Sequence, residues 1–571
     1  MKLQTILERY IGEAGRYQYF VLSLIFIMRI PAAVHNMGYV FYAATPDHWC
    51  RFPRRYDVIN MTEAQWKRFA IPLKDENKME YDKCFVYSWV NNPNLTAAEI
   101  NQTVTALMQG SDFGENQTLS CDSWEYDTTK HVINSLVTEW NIVCGRKWMK
   151  ANIATAYVVG WVVGPQLAGY LSDSYGRRPL VIGAAMLAAT LGLVQPFCTH
   201  YIAFLVVRCF LSLTWNGLTM NTFPLSLEIV GRRGRSIFTA LYMVMWAVSY
   251  MAVAGVAYAF RTWFIFMIVL ACPTVLLIVI PACFVPESLQ WLVAKGQQSK
   301  ADAALRRVAR WNKRSLPDDV KLTLEKDKAK QRTSILDLFR TPNICRISII
   351  LCFNWFLNSM VYYNISWNAD ELHGNLYLNV FLSGLVEIPA YFLNVLVLQK
   401  LGRRWGMSVF TLAVGVFFIV SIFVPGIGGT VLILVSKLFI TMTFTMIWQY
   451  TAELYPTVSR ATAMGKCNLF ARTGTVLSSY IPLLGPMTSA IICGAVCVVG
   501  AISVLFLPET LNQPLPVNVQ EVEQRGRLKL RDIMKCPSST RGDVLTSEIA
   551  GTNDKPQMQL LNQNDSKKID T

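Results

Sequence analysis

Five charged residues within long apolar runs stand out as candidates. A charge at bilayer depth costs several kcal/mol unless it is paired or hydrated, so each marks a candidate site. Glu387 lies about eleven residues into the run 376–398, and Arg472 about ten residues into 462–484. At ~1.5 Å per residue both sit roughly 15 Å deep, near the middle of a bilayer core. A carboxylate and a guanidinium there can take the opposite charges of a ligand, or pair with each other while the cavity is empty. Lys437 and Arg208 fall nearer the outer end of their runs, and Arg208 reads as a tie between spans. Arg29 falls near the inner end of the first run, within snorkelling reach of the interface. Trp161, Trp246, Trp355 and Tyr362 also lie within runs, away from the interfacial belt. A desolvated aromatic face attracts an ammonium group by about 2 kcal/mol. The five histidines (His35, His48, His131, His200 and His373) form no metal-binding spacing, and no phosphate-binding loop occurs. Neither an enzyme, nor a built-in ATPase, nor any cofactor or metal is expected.

The elements that must carry these side chains are spans. Of 571 residues, 53% are hydrophobic and only 16% charged, against about 25% charged in a soluble domain. Twelve apolar runs near bilayer length occupy 20–44, 148–171, 180–197, 201–224, 236–258, 263–285, 344–367, 376–398, 406–425, 429–451, 462–484 and 487–507. An all-α membrane protein with twelve transmembrane helices in the lipid bilayer follows. The net charge of +15 sits mainly in short loops between runs. That is the pattern of the positive-inside rule and not the basic face of a nucleic-acid binder.

Two long polar segments set the topology. Segment 45–147 carries four glycosylation sequons, at Asn60, Asn94, Asn101 and Asn116, and four cysteines, Cys50, Cys84, Cys121 and Cys144. Together they predict an extracellular segment with two disulfides, in any of three pairings. Segment 286–343 holds thirteen Lys and Arg against seven Asp and Glu, which predicts a cytoplasmic loop. Its stretch Ser299–Trp311 reads as a basic amphipathic helix lying on the inner leaflet. Residues 1–19 and 508–571 then form the cytoplasmic N-terminus and a disordered cytoplasmic tail. Residues 20–285 and 344–507 form two six-helix halves.

The halves repeat each other. Gly176-Arg177-Arg178 recurs as Gly402-Arg403-Arg404, Glu228 as Glu453, and Pro286-Glu287-Ser288 as Pro508-Glu509-Thr510, at an offset of about 225 residues. Parallel six-helix repeats around a midplane site suit alternating access, whereas a receptor needs no duplicated halves. Asp173, Arg177, Arg178, Glu228 and Glu287 in the first half, and Arg403, Arg404, Glu453 and Glu509 in the second, share the cytoplasmic helix ends. Opposite charges there are expected to latch the halves and release when they rock.

The segment Gly169-Tyr170-Leu171-Ser172-Asp173-Ser174-Tyr175-Gly176-Arg177-Arg178 resembles the loop signature of the major facilitator superfamily, with Ser174 where an Arg is usual. Pro286-Glu287-Ser288-Leu289-Gln290-Trp291-Leu292, Ala452-Glu453-Leu454-Tyr455-Pro456-Thr457, Thr45-Pro46-Asp47-His48 and Val137-Thr138-Glu139-Trp140-Asn141 are similar to the organic cation, carnitine and organic anion transporters. The likeness runs from about residue 10 to residue 516. It implies a plasma-membrane transporter of small organic ions; a sodium or proton coupling site is not readable. By the same resemblance, Val386-Glu387-Ile388-Pro389-Ala390-Tyr391 looks like the cation and carnitine branches, whose acid meets substrate. The anion branch has a Lys where Tyr391 stands. Arg472 stands where the cation branch has an Asp and the carnitine and anion branches an Arg. Trp161, Trp246, Trp355 and Tyr362 match cavity-lining positions. The combination implies organic cations and carnitine-like zwitterions as first expectation, and organic anions as the alternative.

Overall fold

The computed structural model describes residues 3–12, 15–51, 63–75, 80–87, 90, 99, 102, 105, 117–128, 133–317, 320, 322, 341–456, 459–513, 515, 516 and 519–525. Twelve long helices follow the twelve runs: α1 Arg16–Met37, α2 Trp148–Tyr175, α3 Arg177–Val194, α4 Tyr201–Ile229, α5 Arg232–Ala259, α6 Trp263–Phe284, α7 Pro342–Trp367, α8 Leu376–Lys400, α9 Arg403–Phe423, α10 Ile427–Leu454, α11 Arg460–Tyr480 and α12 Pro486–Val504. Ten are long and apolar enough to cross a membrane; α2 and α11 are the two that are not. These two pack against each other between the halves. A helix with one flank on polar groups and the other on protein needs less apolar surface than one set in lipid.

Within the first half, α2 packs on α4, α3 on α4 and α6, and α1 on α5 and α6. The second half repeats this with α8 on α10, α9 on α10 and α12, and α7 on α11 and α12. The halves meet along α2–α11 and α5–α8. Gly384 permits the α5–α8 approach: a Cβ there would stand 2.9 Å from Met251 Cγ and 3.3 Å from the Ala247 carbonyl oxygen. Asn375 caps α8, its side-chain oxygen accepting from the N–H groups of Tyr377 (2.9 Å) and Leu378 (3.3 Å). This fixes the start of the helix that carries Glu387.

The segment 45–147 sits at one end of the bundle, the disulfide end. Its described residues form three antiparallel ribbons: His48–Cys50 with Trp124–Tyr126, Leu73–Asp75 with Glu80–Tyr81, and Phe85–Tyr87 with Thr118–Ser120. Of the three pairings left open by sequence, Cys50–Cys121 and Cys84–Cys144 are formed. Trp66, Val86 and Val90 pack around Cys50 and Cys121. Asn60, Asn94, Asn101 and Asn116 lie outside the described residues.

Two expectations change at the opposite end, the termini end, where the first and last described residues, Leu3 and Arg525, lie. The helix Gln298–Trp311 does form, but its apolar face is covered by protein rather than lipid. Leu305, Val308 and Ala309 pack on Ile6, Ile11 and Leu289, and the Asn312 side chain accepts from the Tyr17 N–H at 3.0 Å. The tail, expected to lack structure from 508 onward, contains a helix at Val519–Arg525. Glu523 accepts the N–H groups of Asn343 and Ile344, both at 3.1 Å, supplying the first turn of α7 with acceptors it otherwise lacks.

Candidate functional site

Helices α8 and α10 start at the same end and pack together, which puts Glu387 and Lys437 at one level. Both side chains are fully buried, and their charged atoms lie 3.1 Å apart. Tyr362 donates to Glu387 at 2.6 Å and Tyr391 at 3.0 Å. The Lys437 ammonium also donates to the Ser366 hydroxyl and stands 3.3 Å from the Tyr362 ring centroid. This overturns the expected Glu387–Arg472 pair. The lysine, not the arginine, faces the acid, because α8 packs on α10.

Arg472 instead projects from α11 over Trp161 of α2, with its guanidinium carbon 4.4 Å from the ring centroid. Tyr363 is its other polar neighbour, and its Nε has no hydrogen-bond partner. Arg29 does not snorkel. Its guanidinium lies 4.7 Å from the ring centroids of both Tyr242 and Trp246, one helical turn apart on α5, and its Nε is also without a partner. Both arginines keep partial exposure, unlike Glu387 and Lys437. Among the described residues no carboxylate pairs with either.

Aromatic residues join these charges into one centre. The Trp246 indole donates to the Tyr362 hydroxyl at 3.3 Å, and Tyr362 donates onward to Glu387. Trp161 meets Tyr363 edge-on at 5.4 Å. Trp161, Trp246 and Tyr362 are therefore in the centre, and Trp355 is not. It is fully buried in a separate cluster toward the termini end, bonded to the Thr451 hydroxyl at 2.9 Å and packed on Trp448. Arg208 ties spans as expected, its Nε donating to the Ile153 carbonyl at 3.0 Å. The sequence reading missed Tyr242 and Tyr363. The Tyr242/Trp246 spacing of one helical turn and the adjacent Tyr362-Tyr363 pair were the available signals.

At the termini end the repeated motifs build two matching clusters. Arg177 pairs with Glu228, which accepts from the Ser288 hydroxyl at 2.6 Å. Glu287 accepts from the N–H groups of Arg177 (2.8 Å) and Arg178 (3.1 Å). In the second half Arg403 pairs with Glu453 at 2.9 Å, Thr510 donates to Glu453, and Glu509 accepts from the N–H groups of Arg403 (2.9 Å) and Arg404 (3.1 Å). Gly176 (φ +103°) and Gly402 (φ +78°) fit this arrangement because a Cβ on either would stand 2.7 Å from the glutamate oxygen. Asp173 offers only its carbonyl, to the Trp291 indole at 3.2 Å. Each cluster closes within its own half; among the described residues no ion pair latches one cluster to the other.

The polar links between halves lie instead at the disulfide end and the middle. Lys150 of α2 pairs with Asp370, on the turn Ala369–Glu371 between α7 and α8, at 2.6 Å. Asp370 also accepts the Thr45 N–H at 3.3 Å. Tyr480 donates to Asn152 at 2.6 Å, and Trp367 to Asn36 at 3.3 Å. None of these was singled out from the sequence, since a charge in a connecting turn is unremarked there.

Comparison with known proteins matches this architecture. A family model described as sugar (and other) transporter covers residues 98–518. Human organic cation/carnitine transporter 2 is 32% identical over 545 residues, spanning 93% of this chain and 95% of that protein. Human organic anion transporter 3 is 32% identical over 537 residues, spanning 92% and 94%. A Drosophila melanogaster organic cation transporter protein is 29% identical over 562 residues, spanning 95% and 97%. Among solved structures, the inward-open xylose transporter XylE from E. coli superposes with a TM-score of 0.52 at 16% identity, over 70% of this chain and 92% of that one; at that identity the match shows the fold alone. Alignments running nearly end to end, on a fold of two repeated six-helix halves, place the chain in the sugar (and other) transporter family, in the organic ion branch of the major facilitator superfamily, as a multi-pass membrane transporter and not an enzyme.

Proposed function

We propose that this transporter carries small organic ions bearing a carboxylate, namely organic anions and carnitine-like zwitterions, across the plasma membrane by alternating access. Segment 45–147 is then extracellular and both termini cytoplasmic. One observation carries the reading: the centre's acid is sealed and already paired with Lys437, while Arg29 and Arg472 are partly exposed and have no acidic partner. A guanidinium offers a carboxylate two parallel N–H bonds, and the surrounding aromatic rings suit an apolar or ammonium-bearing remainder. A simple organic cation meets two arginines and no free carboxylate. This reverses the order expected from sequence, where cations and zwitterions stood ahead of anions. Relatives named for cation, carnitine and anion transport all fit the branch.

In this reading Arg472, Arg29, Tyr362, Trp161 and Trp246 surround the substrate, and Glu387 is held by Lys437 and Tyr391 and orients the Tyr362 hydroxyl. The Arg177–Glu228 and Arg403–Glu453 clusters stiffen the cytoplasmic helix ends of each half as the halves rock. The test is uptake in expressing cells of an aromatic monocarboxylate, a trimethylammonium betaine and a tetraalkylammonium ion. Carboxylate-bearing compounds should accumulate and compete with one another. Uptake of the tetraalkylammonium ion that carboxylates do not inhibit would overturn the proposal.

A further inference from the structure

We propose that the helix Gln298–Trp311 holds anionic phospholipid headgroups of the bilayer against the entry of α1. The apolar stripe of this helix is used inside the protein, on Ile6, Ile11 and Leu289. What it leaves outside is basic. Lys300, Arg307 and Arg310 are exposed, and so are Lys313 and Arg314 just past the helix end. Among the described residues, none of these five has a carboxylate within ion-pair distance. The acid of the helix, Asp302, accepts instead from the Gln298 amide at 3.0 Å.

The position of this basic flank points to lipid. Lys300, Ala304, Arg307 and Trp311 follow at helical spacing and share one stripe. The stripe ends where α1 begins. The Trp311 ring centroid lies 5.9 Å from that of Tyr17 and 5.2 Å from that of Phe20, and Arg307 acts electrostatically on Tyr17. Phe20 stands one turn into α1, about 6 Å along its axis from Arg16. Trp311 is therefore level with the point where α1 passes from water into hydrocarbon. It keeps 43% of its surface exposed there, and Tyr19 of α1 keeps 65%. Exposed Trp and Tyr side chains at this level are those that settle in the headgroup layer of a bilayer.

A soluble acidic partner would satisfy the charges but has no use for an indole and a phenol at the hydrocarbon boundary. An anionic phospholipid uses both. Its phosphate accepts from the guanidinium groups, and its glycerol and upper acyl carbons lie against Trp311 and Tyr19. Basic groups clustered beside a transmembrane helix add their attractions to an anionic surface, within a Debye length of it. The helix also packs on the first described residues of the chain, so a bound lipid braces this junction and stabilises the fold by mass action. Assigning these lipids to the cytoplasmic leaflet rests on the topology proposed above; the binding itself does not, nor does it depend on the substrate class.

One set of melting curves tests the inference. Full-length purified protein in an uncharged detergent is melted with increasing short-chain phosphatidylserine or short-chain phosphatidylcholine. Phosphatidylserine should raise the melting temperature well above the effect of phosphatidylcholine, and added salt should weaken that response. Arg307→Gln/Arg310→Gln/Arg314→Gln should raise the half-saturating phosphatidylserine concentration by about tenfold or more. The matching triple Lys variant keeps the charge and should respond like the parent. The salt dependence of the parent carries the same test without any substitution. Equal responses to the two lipids overturn the proposal, and so does a phosphatidylserine response that the Gln variant shares with the parent. The same shift produced by soluble glycerophosphoserine or by polyglutamate also overturns it, since the patch then serves a free anion or an acidic protein.

Discussion

Glu387 meets Lys437 at 3.1 Å, and neither side chain reaches solvent. Removing one partner of a sealed pair leaves an uncompensated charge, at a cost of about 3–5 kcal/mol. We expect Lys437→Met to lower the melting temperature clearly and Lys437→Met/Glu387→Gln to recover most of the loss. A single variant as stable as the parent would show that the lysine is not what balances the acid.

Lys150 and Asp370 form the one ion pair between the halves among the described residues. Asp370→Asn should slow transport severalfold at matched surface expression. The exchange Lys150→Asp/Asp370→Lys should restore part of the rate, because the attraction survives with its partners reversed. Losses that simply add in the double variant would argue against a gate.

The cluster of Arg177, Glu228 and Glu287 lies far along the helices from the charged centre. Glu228→Gln or Arg177→Gln should therefore reduce the maximal rate and leave the ranking of substrates unchanged. A changed ranking in uptake competition would mean that the cluster acts on recognition.

If segment 45–147 is extracellular, its sequons are glycosylated. Glycosidase treatment should increase gel mobility, and replacing Asn60, Asn94, Asn101 and Asn116 together by Gln should remove that shift. A shift that persists in the fourfold variant would contradict this topology.

What the sequence made legible follows from what stands out in one dimension. A charge inside an apolar run is conspicuous by itself, so Glu387, Arg472, Lys437 and Arg29 were visible. Their partners were not, because depth along a helix says nothing about which neighbour the side chain faces. Lys437 was read as shallower than Glu387, yet α8 and α10 place them level. Trp355 shows the same blindness for aromatics: an indole within a span points as readily into a packed core as into a cavity. The stripe on Gln298–Trp311 was recognisable as apolar, but amphipathicity does not distinguish lipid from a protein surface. Span order and the repeat were the firmest readings, since both rest on residue type and spacing alone. Even α2 and α11, less apolar than the other ten, were read as runs of near-bilayer length.

The central claim is that Arg29 and Arg472 recognise a carboxylate. Its most direct measurement is uptake of a carboxylate-bearing betaine and of its neutral-headed amide counterpart by the parent and by Arg29→Gln/Arg472→Gln, at matched surface amounts. The parent should favour the carboxylate by about tenfold or more, as expected for a bidentate charge-assisted contact. The double variant should lose the carboxylate compound while transporting the amide as well as before or better. If the parent does not discriminate, or if both compounds fall in parallel in the variant, the arginines support the fold and do not read the substrate.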